Sequence, residues 1–201
     1  MRFVGAPACT VIFIVTIVAS LIGIYRSPAL LDRSLFRPYW LVRRRQYATV
    51  VTSAFMHADL MHLLFNMMTF WFFAFPLERF LGTFWFVVLY GSGLLLSHMG
   101  TWINQRNNPA YACLGASGAI AAVLFASIIY FPNQSLIILP IPIPIPAPLF
   151  AVGYLAYTWY ASRQQQGRIN HDAHLGGAVA GLLFVALLTP QAYSMLLRSL
   201  F

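Results

Sequence analysis

Lysine is missing from this chain of 201 residues, and only Asp32, Asp59, Glu78 and Asp172 carry negative charge. Charged side chains make up 8% of the sequence, where an ordinary soluble domain has about a quarter. That deficit excludes a solvated globular fold. It also excludes an aspartyl mechanism within a membrane, which needs two embedded carboxylates, because every acid lies at the end of an apolar segment. His-Glu-x-x-His does not occur, since neither His57 nor His62 begins it, so a zinc protease and a bound metal are not expected. The only two cysteines, Cys9 and Cys113, are far apart and suggest neither a disulfide framework nor a metal site. No internal repeat and no interdomain linker can be drawn, which weighs against a small transporter built from symmetric halves.

What the chain has instead is apolar length. Hydrophobic residues make up 60% of it, which specifies an all-α, polytopic membrane protein folded as one membrane domain, 1–201. Six spans are expected: Ala8 to Tyr25, Leu60 to Leu77, Leu81 to Ile103, Ala110 to Phe131, Pro148 to Ser162 and Ala173 to Leu188. Several fall short of the ~20 residues of a straight crossing, so the bilayer must thin there or the helix start below the surface. The apolar run after Met1-Arg2 reads as a retained first helix, since no convincing cleavage site separates it from Arg26.

All 12 basic residues are arginines, and most lie between apolar runs, so the net charge of +8 indicates headgroup contact and topology and no nucleic-acid partner. The loop from Arg26 to His57 interleaves rings and guanidinium groups, through Tyr39-Trp40 and Arg43-Arg44-Arg45, as an interfacial element does. Asp59 and Asp172 each precede a span and are expected to cap it. Glu78 is expected in the turn after span two as a structural acceptor. The prolines from Pro140 to Pro148 enforce an extended, polyproline-like lead-in to span five, which makes that span a candidate moving part.

Even-numbered spans cross in one direction, so the beginnings of spans two, four and six share one side. Ser117 lies near the start of span four, in Gly115-Ala116-Ser117-Gly118, and His174 begins span six. His62 and Asn66, four residues apart, share one face of span two. An imidazole near a hydroxyl can take its proton and return it to a leaving amine. The Ser117 backbone N–H, His62 and Asn66 are the candidate donors to an oxyanion, each worth ~3 kcal/mol or more. Asp172, two residues before His174, points to another helix face, so a Ser–His dyad is expected without a third member. Gly177 and Gly181 form a small-residue face below His174 that lets span six approach span four. His98 and His171 have no evident partner and are read as interfacial or packing residues.

Together these residues resemble the rhomboid family of intramembrane serine proteases. The match rests on His57 and His62-Leu63-Leu64-Phe65-Asn66, Gly115-Ala116-Ser117-Gly118, and Ala173-His174 with Gly177 and Gly181, and it extends over a core of 46–189. The resemblance implies a six-transmembrane-helix bundle around a water-filled cavity. It implies Ser117 as nucleophile and His174 as general base, with His62, Asn66 and Ser117 in the oxyanion hole. Gly115, Gly118, His57, Gly177 and Gly181 would support them. It further implies no cofactor, single-spanning membrane proteins as substrates, and a multi-pass place in the cell (inner) membrane, with an organellar membrane as the alternative. Some members carry an aromatic ring four residues after the serine, stacked on the histidine; this chain has Ala121. Many carry Trp-Arg in the first loop, where this chain has Ala48-Thr49.

Nine arginines (26, 33, 37, 43, 44, 45, 106, 163, 168) fall on the side of these residues and three (2, 79, 198) on the other. The positive-inside rule would turn that side to the cytoplasm, whereas the resemblance implies the outward face. Two other functions compete with proteolysis: a non-catalytic relative that binds and routes membrane proteins, and a small channel or transporter.

Overall fold

The structure, a computed structural model, describes residues 5–138, 141–164 and 169–200. Met1, Arg2, Pro140 and Arg168, which enter the readings above, lie outside the described residues. The protein is mostly helical. The helices, in chain order, are α1 (Pro7–Tyr25), α2 (Pro28–Ser34), α3 (Pro38–Arg43), α4 (Thr49–Thr52), α5 (Leu60–Leu81), α6 (Thr83–Gln105), α7 (Ser117–Tyr130), α8 (Ala147–Gln164), α9 (His171–Leu188) and α10 (Gln191–Leu200). A single 3₁₀ turn, Ser53–Phe55, follows α4. An antiparallel hairpin of β1 (Ser135–Ile138) and β2 (Ile141–Pro146) joins α7 to α8.

Each expected span contains a helix, but only four of the described helices, α1, α5, α6 and α9, are long and apolar enough to cross a membrane. The helix of span four is 14 residues long and starts at Ser117, so the stretch from Ala110 to Ala116 is not helical. Its backbone is used elsewhere: Phe36 and Cys113 exchange N–H···O=C bonds of 3.0 Å, and the Gly115 N–H donates to the Ser53 carbonyl at 2.9 Å. Every α7 residue after Ser117 is buried. The shortest apolar helix is therefore the axis of the bundle, with α5, α6, α8 and α9 packed around it.

Glycine sets how close those neighbours come. A Cβ at Gly177 would fall on the Gly118 carbonyl oxygen, one at Gly181 on the Ala122 carbonyl oxygen, and one at Gly118 on the Ser97 side chain. The α6–α7–α9 seam is thus backbone against backbone, the arrangement expected where lipid offers no hydrophobic drive and dispersion contacts must hold helices together.

Three local readings need correction. Glu78 lies in the last turn of α5, not in a loop, because Gly82 at φ +80° is alone between α5 and α6. There it accepts from the Ala8 and Cys9 amides at 3.0 and 2.7 Å and from the Thr83 hydroxyl at 2.8 Å. A buried carboxylate thereby caps the first turn of α1. Asp59 does cap α5, accepting from the His62 N–H at 2.8 Å, but Asp172 does not cap α9. Asn170 takes that place, accepting from the Ala173 N–H at 3.0 Å, while Asp172 accepts from Asn104 of α6 at 2.9 Å. The proline-rich lead-in to α8 is extended as expected, yet it is paired with β1. An antiparallel ladder needs an N–H from only every second residue, so alternating Ile and Pro can pair along one edge.

The first loop carries its rings and guanidinium groups as stacked pairs, with Arg43 over Tyr39 at 4.0 Å and Arg44 over Trp40 at 3.8 Å. α10 was not foreseen; it is tied back by the Tyr193 hydroxyl, which donates to the Leu182 carbonyl at 2.7 Å.

Candidate active site

Ser117 is the first residue of α7, and the first amide of the helix to find an intrahelical carbonyl is that of Ile120, at 2.9 Å from the Ala116 oxygen. The N–H groups before it point out of the helix end, where the dipole is positive. Gly115, at φ +120°, turns the chain into this position. A Cβ there would lie 2.8 and 2.9 Å from the His62 ring, so glycine is what lets that ring pack against the backbone two residues before Ser117.

Ser117, Asn66 and His174 line one cavity of about 630 Å³. Its other walls are mostly apolar residues of α5 and α7, with Thr69, then Gln134 and the strand β1, and Phe150 and Tyr154 of α8. His62 is not on that lining; it stands behind it, against Gly115 and edge-to-face with His57 at 4.9 Å between ring centroids. Asn66 donates one amide hydrogen to the His62 carbonyl at 2.9 Å, leaving its second for the cavity. Among the described residues no hydrogen bond closes between the Ser117 hydroxyl and the His174 ring. The two groups share a cavity but are not in hydrogen-bond contact.

The position of His174 is fixed from three sides. Asn170 caps its helix and donates to Thr101 of α6 at 2.9 Å, Gly177 seats the next turn on α7, and Tyr154 of α8 stacks on the ring at 6.2 Å and 25°. Sequence reasoning missed Tyr154. The aromatic partner absent at Ala121 comes from a different helix, and Ala121 lines the same cavity. The only signal available was a tyrosine in the one span preceded by prolines. His98 also has partners after all: its Nδ1 lies 2.9 Å from the Leu94 carbonyl and its Nε2 3.0 Å from the Ser53 hydroxyl. A carbonyl only accepts, so Nδ1 bears the proton and Ser53 donates to Nε2.

His57 is fully buried. The Ser20 hydroxyl donates to the Phe55 carbonyl at 3.0 Å, so at 3.0 Å from His57 it must accept, which puts the proton on Nδ1. Burial, and secondarily the neighbouring His62, push His57 down from 6.5 to about 3. A histidine held neutral in this way favours the fold fully above its ordinary value, and the benefit is lost as pH falls from 6.5 towards 3. The wild-type Tm should therefore fall on acidification from neutral to about pH 5, since each pH unit below the ordinary histidine value costs up to ~1.4 kcal/mol. A His57→Gln protein should show a shallower slope in the same titration, and parallel slopes would contradict this assignment. Among the described residues no group of three or more His, Cys, Asp or Glu side chains is placed to hold a metal ion.

The Rhomboid domain profile matches residues 44–191, well over half of the sequence. This chain belongs to the rhomboid family. It is 27% identical over 156 residues to Rhomboid protein 1, mitochondrial, of Saccharomyces cerevisiae, covering 74% of this chain and 45% of that protein. It is 32% identical over 95 residues to YdcA of Bacillus subtilis, whose name marks it as a candidate rhomboid protease, covering 46% and 47% of the two chains. The human presenilin-associated rhomboid-like protein, mitochondrial, is 30% identical over 144 residues, covering 68% of this chain and 36% of that one. The chain spans about half or less of the length of these relatives. As a rhomboid with four helices apolar and long enough to cross a bilayer, it is an integral membrane protein.

Proposed function

We propose that this rhomboid is an intramembrane serine endopeptidase that cuts transmembrane segments of other membrane proteins with a Ser117–His174 dyad. The observation that carries the reading is that both groups and Asn66 line one cavity. Ser117 Oγ attacks the scissile carbonyl while its proton passes to His174. The tetrahedral oxyanion is met by the Ser117 N–H, Asn66 and His62, and collapse expels the amine, which takes the proton from His174. Water, deprotonated by the same imidazole, then releases the acyl group and restores the hydroxyl. His62 would have to turn past Gly115 to donate directly, and Gly115 and Gly118 let the His62 ring and the Ser97 side chain pack against the backbone on either side of the nucleophile. The reading includes one membrane domain with its core at 46–189, no cofactor, transmembrane proteins as substrates, and an inner or organellar host membrane. Orientation within that membrane follows the family likeness.

A non-catalytic relative that binds and routes membrane proteins would use the same cavity, but it would not need a hydroxyl and an imidazole facing it. A fluorophosphonate probe separates the two. The detergent-solubilised protein should label at Ser117, and labelling should require His174; a folded protein that never labels is a binder.

The stacked ring supplies a further prediction. Tyr154→Ala should lower kcat for a transmembrane substrate by about 10- to 100-fold with little change in KM, since a misplaced base costs rate more than binding. Tyr154→Phe should stay within about twofold of wild type, because the stacking face survives. Equal losses in both variants would assign the role to the hydroxyl instead.

A further inference from the structure

The hairpin between α7 and α8 has one closed edge and one open one. In β2, Pro144 faces Ile137 and Pro146 faces Ser135, while Leu136 faces Ile145. Proline has no N–H to offer, so Leu136 and Ile145 form the hydrogen-bonded pair, and Ser135 and Ile137 sit at the alternate positions. Their N–H and C=O groups consequently point away from β2, while the prolines blunt the outer edge of β2. Among the described residues the sheet has two strands, in the order β1–β2.

That open edge is where the cavity runs. Gln134, Ser135, Leu136 and Ile137 all line it, and no residue of β2 does. Side chains of successive residues in a strand point to opposite faces, so four consecutive lining residues mean that the cavity follows the backbone edge. The α7 residues that line the same cavity run from Ser117 to Leu124, a rise of about 10 Å, or about three residues of extended chain. From Ser135 to Pro146 the chain carries no charge, and open strand edges are costly in an apolar medium because their polar groups lack partners.

Taking the proteolytic reading as its basis, we propose that the open edge of β1 binds an extended, apolar stretch of the substrate by strand addition. Ser135 and Ile137 each exchange backbone hydrogen bonds with it, some residues deeper in the cleft than the bond Ser117 attacks. A helix that unwinds to reach Ser117 exposes its own amides to hydrocarbon, and β1 supplies partners for two of its residues. Recognition of this kind selects for ease of unwinding more than for side-chain identity.

The test separates binding from chemistry by using Ser117→Ala protein and a fluorescent transmembrane peptide in nanodiscs. Ile137→Pro removes one open-edge donor without touching the β1–β2 ladder, and it should raise the Kd about tenfold, the value of one net backbone hydrogen bond at its upper range. Pro144→Ala, on the opposite edge, should leave the Kd unchanged. Because Ile137→Pro could also disturb the fold, the complementary variation is made in the ligand: N-methylation scanned along the peptide should weaken binding at alternate positions several residues from the cut site. An unchanged Kd for Ile137→Pro, or a scan sensitive only next to the scissile bond, would overturn strand addition. Failure of the proteolytic reading looks different: wild-type protein would then neither label with fluorophosphonate nor cleave the peptide, whatever its affinity.

Discussion

Ser117→Ala should abolish cleavage of a labile transmembrane substrate, lowering kcat on the order of 10⁴-fold or more, as loss of a nucleophile does in serine hydrolases. The Tm should barely move. The Ser117 hydroxyl has no hydrogen-bond partner among the described residues, so removing it orphans nothing in the fold. His174→Ala should cost a similar factor, and the double variant should be scarcely worse than either, because two groups that move one proton act as a unit. Gel-based cleavage in detergent with purified protein reads all three. Cleavage by Ser117→Ala at the wild-type rate would end the proteolytic reading, and additive losses would assign the serine and the histidine to separate tasks.

Gly177→Ala is expected to produce the second large effect, through packing. Its added methyl would meet the Gly118 carbonyl oxygen, with Ala121 Cβ only 3.2 Å away. Neither neighbour can yield, since α7 is buried on every side after Ser117. Overpacking of this sort costs roughly 1–3 kcal/mol and sometimes more, which lowers the Tm by several degrees in a chain of this size. The strain falls one turn from His174, so activity should drop together with stability, by about 100-fold if the ring shifts by 1 Å. Gly153→Ala on α8 is the matched control, because a Cβ there meets nothing within 4 Å; it should leave activity intact and stabilise by about 0.5–1 kcal/mol. If Gly177→Ala behaved like Gly153→Ala, the tight α7–α9 contact would not be what holds His174 in place.

The parts of this architecture carried by local pattern were legible in the sequence. Apolar runs gave each large helix, Asp59 gave the start of α5, and helical spacing placed Asn66 one turn beyond His62. Connectivity alone was enough to bring the starts of α5, α7 and α9 to one side. What escaped depended on contacts between distant segments. Tyr154 finds His174 only once α8 is docked, and nothing in the sequence around Ala121 says which helix will supply a ring. Asn170 outcompetes Asp172 as cap because Asn104 and Thr101 of α6 engage the two side chains differently. The pairing of β2 was hidden for another reason: proline argues against a strand, and only its strict alternation with isoleucine permits one. The start of α7 was misjudged because 110–116 is as apolar as a helix, while its amides are spent on Phe36 and Ser53.

The burial of α7 has a mechanical consequence. Its serine is mounted on the part of the molecule least able to shift, clamped by glycine contacts on one side and aromatic residues on the other. If the proteolytic reading holds, accommodation of a bulky, uncoiling guest must then come from the periphery. α8 is suspended from a hairpin and presents Leu149, Val152, Tyr157 and Tyr160 outward. On the proteolytic reading, because α8 also carries the ring stacked on His174, its displacement would loosen the base while leaving the nucleophile in register, so admission and reaction would become separate events in time.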